Sequence, residues 1–147
     1  MIGVILIIGL ARGVSVLMGA TYLDNFLIYN ASDLLAKLPE FIFIPLNYIL
    51  HIFLSILVPS SSGLASLSTP IIAPLAHQLS YNTEVTVMTM VASNGLVNLI
   101  TPTCGAIMGG LALAKVEYST WFKWAAKVVG TIFVVNVLIL IVFSMIF

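Results

Sequence analysis

The sequence predicts an all-α integral membrane fold with a re-entrant helical hairpin and a broken transmembrane helix. Three observations carry that reading. Of the 147 residues, 61% are hydrophobic and only 7% charged, with mean hydropathy +1.21, whereas a soluble domain carries about a quarter charged residues. Several apolar runs approach or reach the ~20 residues that a spanning helix needs. Two polar breaks interrupt them, Val58-Pro59-Ser60-Ser61-Ser62-Gly63 and the stretch Ser93-Asn94-Gly95 through Asn98 to Thr101-Pro102-Thr103. Lipid tolerates irregular backbone at such depth only where protein or water covers it.

The elements follow in chain order. Residues 2–18 are apolar apart from Arg12 and read as a transmembrane helix at the short end of the range. Residues 21–39 mix Asp24, Asn25, Asp33 and Lys37 with Leu23, Phe26, Leu27, Leu34 and Leu35 at helical spacing, an amphipathic interfacial segment that Ser32 or Asp33 would cap midway. Residues 41–79 form the hairpin, with its tip at 58–63. Its first arm holds Pro45, Asn47 and His51, and its second is rich in small residues, with Pro70 and Pro74. After a short loop at 80–83, Asn82 or Thr83 caps a helix with Glu84 in its first turn. Residues 84–114 would span ~46 Å if straight, too long for one ordinary span and too short for two. A single span broken at Thr101-Pro102-Thr103 fits. Residues 115–127 form a surface stretch with Trp121 and Trp124 as interface anchors, and 128–147 a final transmembrane helix containing Asn136.

Five basic and five acidic residues leave no net charge. Without a basic stripe, nucleic acid is not an expected partner. Lys115, Lys123 and Lys127 lie on one side of the membrane, with Lys37, Glu40 and Glu84 on the other. The positive-inside rule then places 115–127 in the cytoplasm, and the hairpin and C-terminus outside. The expected location is the cell inner (plasma) membrane, with several passes. The first apolar run lacks a basic n-region and a clear cleavage site, so no cleavable signal peptide is expected. Asn30-Ala31-Ser32 matches a glycosylation sequon, a short pattern with no force in a bacterium.

The breaks have chemistry of their own. Thr101 as N-cap with Pro102 at the first helical position would aim a helix N-terminus at the second break. Ser61 or Ser62 would cap a helix starting near Leu64, with Gly63 allowing close backbone approach. Two such termini favour a carboxylate. The carbonyls ending the preceding helices, with Asn94, Asn98 and the hydroxyls, favour a small cation such as sodium near Ser61, Asn98 and Thr101. Ordinary helix kinks and small-residue packing are the alternative, weakened by finding two breaks in one short chain.

The break motifs, with Thr69-Pro70-Ile71-Ile72-Ala73-Pro74-Leu75-Ala76 and Gly9-Leu10-Ala11-Arg12-Gly13-Val14-Ser15-Val16, resemble the C-terminal half of YfcC-like transporters. That family is regarded as basic amino-acid antiporters, related to arginine/ornithine exchangers and, more distantly, to dicarboxylate–sodium symporters. The resemblance covers nearly the whole chain. It implies one half of an inverted-repeat transporter with elevator-type movement, and a substrate held between the halves. By motif, Ser60, Ser61, Ser62 and Gly63 would be the hairpin tip, and Asn94, Asn98, Thr101, Pro102 and Thr103 the broken-helix site. Ser93-Asn94-Gly95 departs from the bulkier, often aromatic pattern at that position, which bears on the substrate more than on the fold. No second hairpin or broken helix occurs in 1–147, so the chain is expected to be a C-terminal fragment, a split gene product or a truncated reading frame. An N-terminal half or a homo-oligomer would be its partner.

Arg12 is the one charge inside a span. It would hold a substrate carboxylate or brace the hairpin, or else snorkel from a helix end. His51 and His77 lack Cys, Asp or Glu at ligand spacing and read as packing or interfacial residues. Cys104 reads as a small packing residue, although a helix N-terminus would activate its thiol. No carboxylate lies inside a span, so no carboxylate proton relay is visible. The leading function is secondary transport of a small carboxylate-bearing solute, an amino acid by preference. It needs no cofactor beyond a coupling ion, sodium or proton. The alternatives are a non-transporting fragment or split subunit, and an intramembrane serine hydrolase using Ser62 with His51 or His77.

Overall fold

A computed structural model describes residues 6, 9, 13, 16–58 and 60–146. Arg12, most of the expected 2–18 span and Pro59 lie outside the described residues. Six helices follow residue 22: α1 (Leu23–Leu35), α2 (Glu40–Leu57), α3 (Ser61–Gln78), α4 (Thr83–Asn98), α5 (Gly105–Ala114) and α6 (Tyr118–Ile146). No strand occurs among the described residues. Among the described residues two helices, α2 and α6, are long and apolar enough to cross a membrane.

The molecule is arranged around α4. It packs most extensively on α2 and also touches α3 and α6, while α1 lies against α3. The arms α2 and α3 touch each other little, and each rests on α4 instead. The core joins Phe43, Ile44, Tyr48 and Leu54 of α2 to Leu64, Ile72 and Ala76 of α3, Val85 and Leu96 of α4, and Val129 and Leu140 of α6. Polar pins hold this packing. Asn136 Nδ2 donates to the Tyr48 hydroxyl at 3.1 Å, and the Tyr48 and Phe133 rings stack at 5.6 Å. Glu40 Oε1 accepts from the Asn82 backbone at 3.0 Å, joining the starts of α2 and α4.

Local chemistry accounts for the helix ends. Asn82 is the N-cap of α4, its side chain accepting from Val85 N at 2.9 Å, with Glu84 in the first turn. Two expectations about caps need correction. The N-cap of α3 is Ser60, not Ser61 or Ser62: Ser60 Oγ accepts from Gly63 N at 3.3 Å. Ser61 and Ser62 therefore sit in the first turn. Ser32 does not cap a second half-helix, because α1 is continuous through it and its hydroxyl donates to Tyr29 O at 2.7 Å. The expected surface stretch at 115–127 is largely exposed, and it is helical from Tyr118 onward. Lys115 ends α5 in a left-handed conformation, φ 56°, and α6 then runs unbroken for 29 residues.

The second break is real but offset. α4 stops at Asn98 and α5 starts at Gly105, with Cys104 at the N-cap position and no side-chain cap bond. Thr101 is not the cap and Pro102 is not the first helical residue. Thr101 N still donates to Val97 O at 2.9 Å, so Thr101 closes the preceding helix instead of opening the next.

Candidate functional site

The two breaks meet at α4. Ser61 Oγ, in the first turn of α3, donates to Asn94 Oδ1 at 2.7 Å. One turn along α4, Asn98 Nδ2 donates to the same oxygen at 2.9 Å. Asn94 is thus a double acceptor fastening the tip to the helix. These three residues line a cavity of about 300 Å³ with Met90, Val91 and Gly95. Gly95 faces open space, so nothing blocks that side. Gly63 is packed closely: a Cβ there would stand 3.3 Å from Ser60 Oγ and 3.4 Å from Val58 Cγ1, tight enough to disturb the cap.

Two polar atoms of this group are buried without a partner, Asn94 Nδ2 and Asn98 Oδ1. One is a donor and the other an acceptor. Exchanging oxygen and nitrogen in both amides gives the other consistent network, in which Asn94 donates to Ser61 and Asn98. That network frees Asn94 Oδ1 and Asn98 Nδ2, again one acceptor and one donor. One unpaired donor and one unpaired acceptor remain under either amide assignment.

The remaining expected residues lie apart from this cavity. Ser60 and Ser62 hydroxyls are 3.4 Å from each other. Thr101, buried, pairs its hydroxyl with Thr103 Oγ1 at 2.8 Å. Thr101 and Pro102 line a second, apolar cavity of about 560 Å³ between α2, α4 and α6, with Ile56, Val97, Phe122 and Phe133. Ser61, Asn98 and Thr101, the expected sodium set, are therefore not gathered around one cavity. A hard cation takes about six oxygens, so the tip would need more ligands than these residues supply.

Two groups of residues were not expected. The carbonyls just past the end of α4, expected to face a cation, are occupied: Trp121 Nε1 donates to Leu99 O at 3.1 Å and the Tyr118 hydroxyl to Ile100 O. Trp121 is thus a donor supplied by α6 to the backbone just past the end of α4. The second group is a buried polar seam between α2 and α4. Asn47, His51 and Ser55 recur at four-residue spacing on one face of α2, opposite Thr86, Thr89 and Ser93 on α4, all six buried. Asn47 Nδ2 donates to Thr89 Oγ1 at 2.6 Å and to Thr86 O at 3.4 Å. Asn47 Oδ1 and Ser55 Oγ have no partner. Spacing alone could have revealed the seam, because polar residues at i, i+4 and i+8 share a helix face.

Comparison with known proteins bears on the whole chain. Residues 1–145 match the DcuC family, described as C4-dicarboxylate anaerobic carrier. A protein of Haemophilus influenzae, named only as uncharacterized, is 31% identical over 142 residues, covering 97% of this chain and 28% of its own length. A protein of Escherichia coli (strain K12), named "Putative basic amino acid antiporter YfcC", is 26% identical over 147 residues, covering 96% of this chain and 29% of its own length. The chain therefore spans less than a third of the length of these curated relatives. No solved structure matches it significantly.

Proposed function

We propose that this chain, which belongs to the DcuC family of C4-dicarboxylate anaerobic carriers, forms part of a secondary active transporter for a small carboxylate-bearing solute, an amino acid in preference to a dicarboxylate. Carriage rather than catalysis is what the family and the relative named as an antiporter favour. The observation that carries the solute class is the unpaired donor and acceptor of Asn94 and Asn98 beside Ser61. A carboxylate needs donors, and an ammonium needs acceptors. An α-amino acid offers both a few ångströms apart, whereas each end of a dicarboxylate would leave the acceptor unsatisfied, a cost of about 1–3 kcal/mol. The helix start at Ser61 adds partial positive charge for the carboxylate.

In this reading Ser60, Ser62 and Gly63 shape the tip of a re-entrant hairpin, while Thr101, Pro102 and Thr103 hold the break that moves with it. Arg12 is a further candidate for the carboxylate. The coupling ion is sodium or a proton, and the protein resides in the inner membrane. A second reading is that the chain transports only when joined by a further polypeptide carrying the other half of the site. The small share of its relatives that it spans favours it.

The test is counterflow in proteoliposomes, with a panel of amino acids and C4 dicarboxylates, for the chain alone and with a relative's N-terminal portion. Amino-acid exchange that Ser61→Ala or Asn98→Ala lowers at least tenfold, at unchanged protein content, is expected. Dicarboxylate exchange insensitive to both changes would overturn the assignment.

A further inference from the structure

We propose that the apolar cavity between α2, the end of α4 and α6 is a lipid site: it seats one acyl chain of an anionic glycerophospholipid, and Lys123 and Lys127 meet the phosphate of that lipid. The cavity measures about 560 Å³. Its walls are Ile52 and Ile56 of α2, Leu96 and Val97 of α4, and Phe122 and Phe133 of α6. Among its lining residues only Thr101 and Tyr118 carry a polar side-chain atom. Both hydroxyls are engaged within the protein, Thr101 with Thr103 Oγ1 at 2.8 Å and Tyr118 with Ile100 O. A buried water needs two to four polar partners, so this lining holds water poorly. A hydrated carboxylate would lose its shell there without replacement, which separates this cavity from the one at Asn94.

The cavity opens between the two helices able to span. Ile56 and Phe122 in its lining are 48% and 43% exposed. Gly130, also lining it, is exposed, and a Cβ there would meet nothing within 4 Å. The glycine thus leaves a notch in the rim. At the far end Phe133 stacks on Tyr48 at 5.6 Å. From Phe122 to Phe133 the lining runs ~16 Å along α6, close to the ~15 Å of hydrocarbon in one leaflet. Trp124 stands exposed at the Phe122 end, a residue type that favours the headgroup level. The cavity has the length, the dryness and the side opening that an acyl chain needs.

Charge selects the headgroup. Lys123, Lys127 and Gly130 recur at i, i+4 and i+7, so they form one strip of α6 that leads to the notch. Both lysines are exposed, and such side chains lay their stems on apolar surface while the ammonium reaches the headgroups. Neither makes an ion pair among the described residues. Between residues 101 and 147 the one carboxylate side chain is Glu117, which precedes α6 and accepts from Ser119 Oγ at 3.4 Å. The strip is a pair of cations without a protein counter-ion, and an anionic lipid phosphate supplies one. A zwitterionic lipid brings its own cation and gains less. A segment of another polypeptide would match the cavity by shape but would have to bring a carboxylate for the strip. Thr101 and Pro102 line the same space, so the acyl chain rests on the turn that separates α4 from α5.

The test is photolabelling of the chain in phosphatidylcholine vesicles. They carry a small fraction of a lipid with a diazirine midway along one acyl chain, as either phosphatidylglycerol or phosphatidylcholine. Labelled residues are located by mass spectrometry. Labelling of the cavity residues is divided by labelling of the outward-facing Leu138 and Val142, which any lipid reaches. A ratio about fivefold higher for phosphatidylglycerol is expected, the equivalent of roughly 1 kcal/mol for one lysine near the membrane surface. Excess unlabelled phosphatidylglycerol should suppress the cavity signal, a check that needs no variant. Lys123→Gln combined with Lys127→Gln should bring the ratio down to the phosphatidylcholine value. Gly130→Leu, which fills the notch, should lower cavity labelling by both lipids, with helicity by circular dichroism unchanged. Equal ratios for the two lipids in the unaltered chain would overturn the proposal. So would a preference that survives loss of both lysines. Absence of cavity labelling beside normal labelling of Leu138 would mean that protein covers the cavity, and would overturn it too. Solute exchange has no part in this readout, so failure of the carrier reading leaves the lipid result as it stands.

Discussion

Asn94 concentrates the consequences of the site at one atom. Its side-chain oxygen accepts two hydrogen bonds, one from each side of the tip contact. Asn94→Leu removes the acceptor of two donors, Ser61 Oγ and Asn98 Nδ2; Ser61 is exposed and can turn to water, whereas Asn98 is half-buried. One buried unpaired group costs about 1–3 kcal/mol, so a fall in melting temperature in detergent is expected, with loss of exchange. Asn94→Asp keeps both acceptor bonds and should recover most of the stability. Equal stability of Asn94→Leu and the parent would show that the tip is not fastened there. At this scale the sequence is legible where chemistry is local and unambiguous. Asn82 ahead of Glu84 predicts a cap, and Asn82 is that cap. Three serines in a row defeat the same logic. Each offers an identical hydroxyl, and only the packing of Gly63 against Ser60 selects Ser60.

The end of α4 belongs to the scale of elements, because the turn that follows it is held from another helix. Helix ends leave four carbonyls without intrahelical partners. Here Trp121 and Tyr118 take the carbonyls of Leu99 and Ile100, just past that end, and Thr101 folds back onto Val97. This is why the break begins before Pro102 and α5 starts after it. A proline and two threonines announce a break in sequence, but the donors that position it lie some 20 residues away, beyond any local pattern. The seam shows the reverse. Its polar spacing is written in α2 and α4 separately, and only their pairing reveals that Asn47 and Thr89 meet. Trp121→Phe keeps the ring and deletes the donor. Amide hydrogen exchange at residues 99–104 should then quicken about fivefold, the equivalent of ~1 kcal/mol. Unchanged exchange there would mean that Tyr118 alone closes the helix.

At the scale of the whole molecule, polarity runs inside out. The Asn47–Thr89 seam and Asn94 are interior, while α6 displays Val134, Leu138, Val142 and Met145 outward, each at least half exposed. The spanning stretch of α6 is only 11% buried. In water that surface would cost about 25 cal/mol per Å², so lipid or further protein must cover it. With two helices able to span among the described residues and membership of a carrier family, this is a membrane protein. Composition alone foretold that class, since hydropathy sums over residues without regard to neighbours. It could not foretell that α2 and α3 would separate around α4, which depends on contacts between distant residues. Orientation is the property of the whole that remains open to a direct test. Lys115, Lys123 and Lys127 are exposed around the start of α6. The positive-inside rule places that end in the cytoplasm and the end of α6 outside. Alkaline phosphatase fused after Phe147 should be active and a fluorescent protein dark. Changing all three lysines to glutamine should weaken that bias and raise the fluorescent fraction. A bright fluorescent fusion in the unaltered chain would reverse the orientation, and the Ser60–Gly63 tip would then be approached from the cytoplasm.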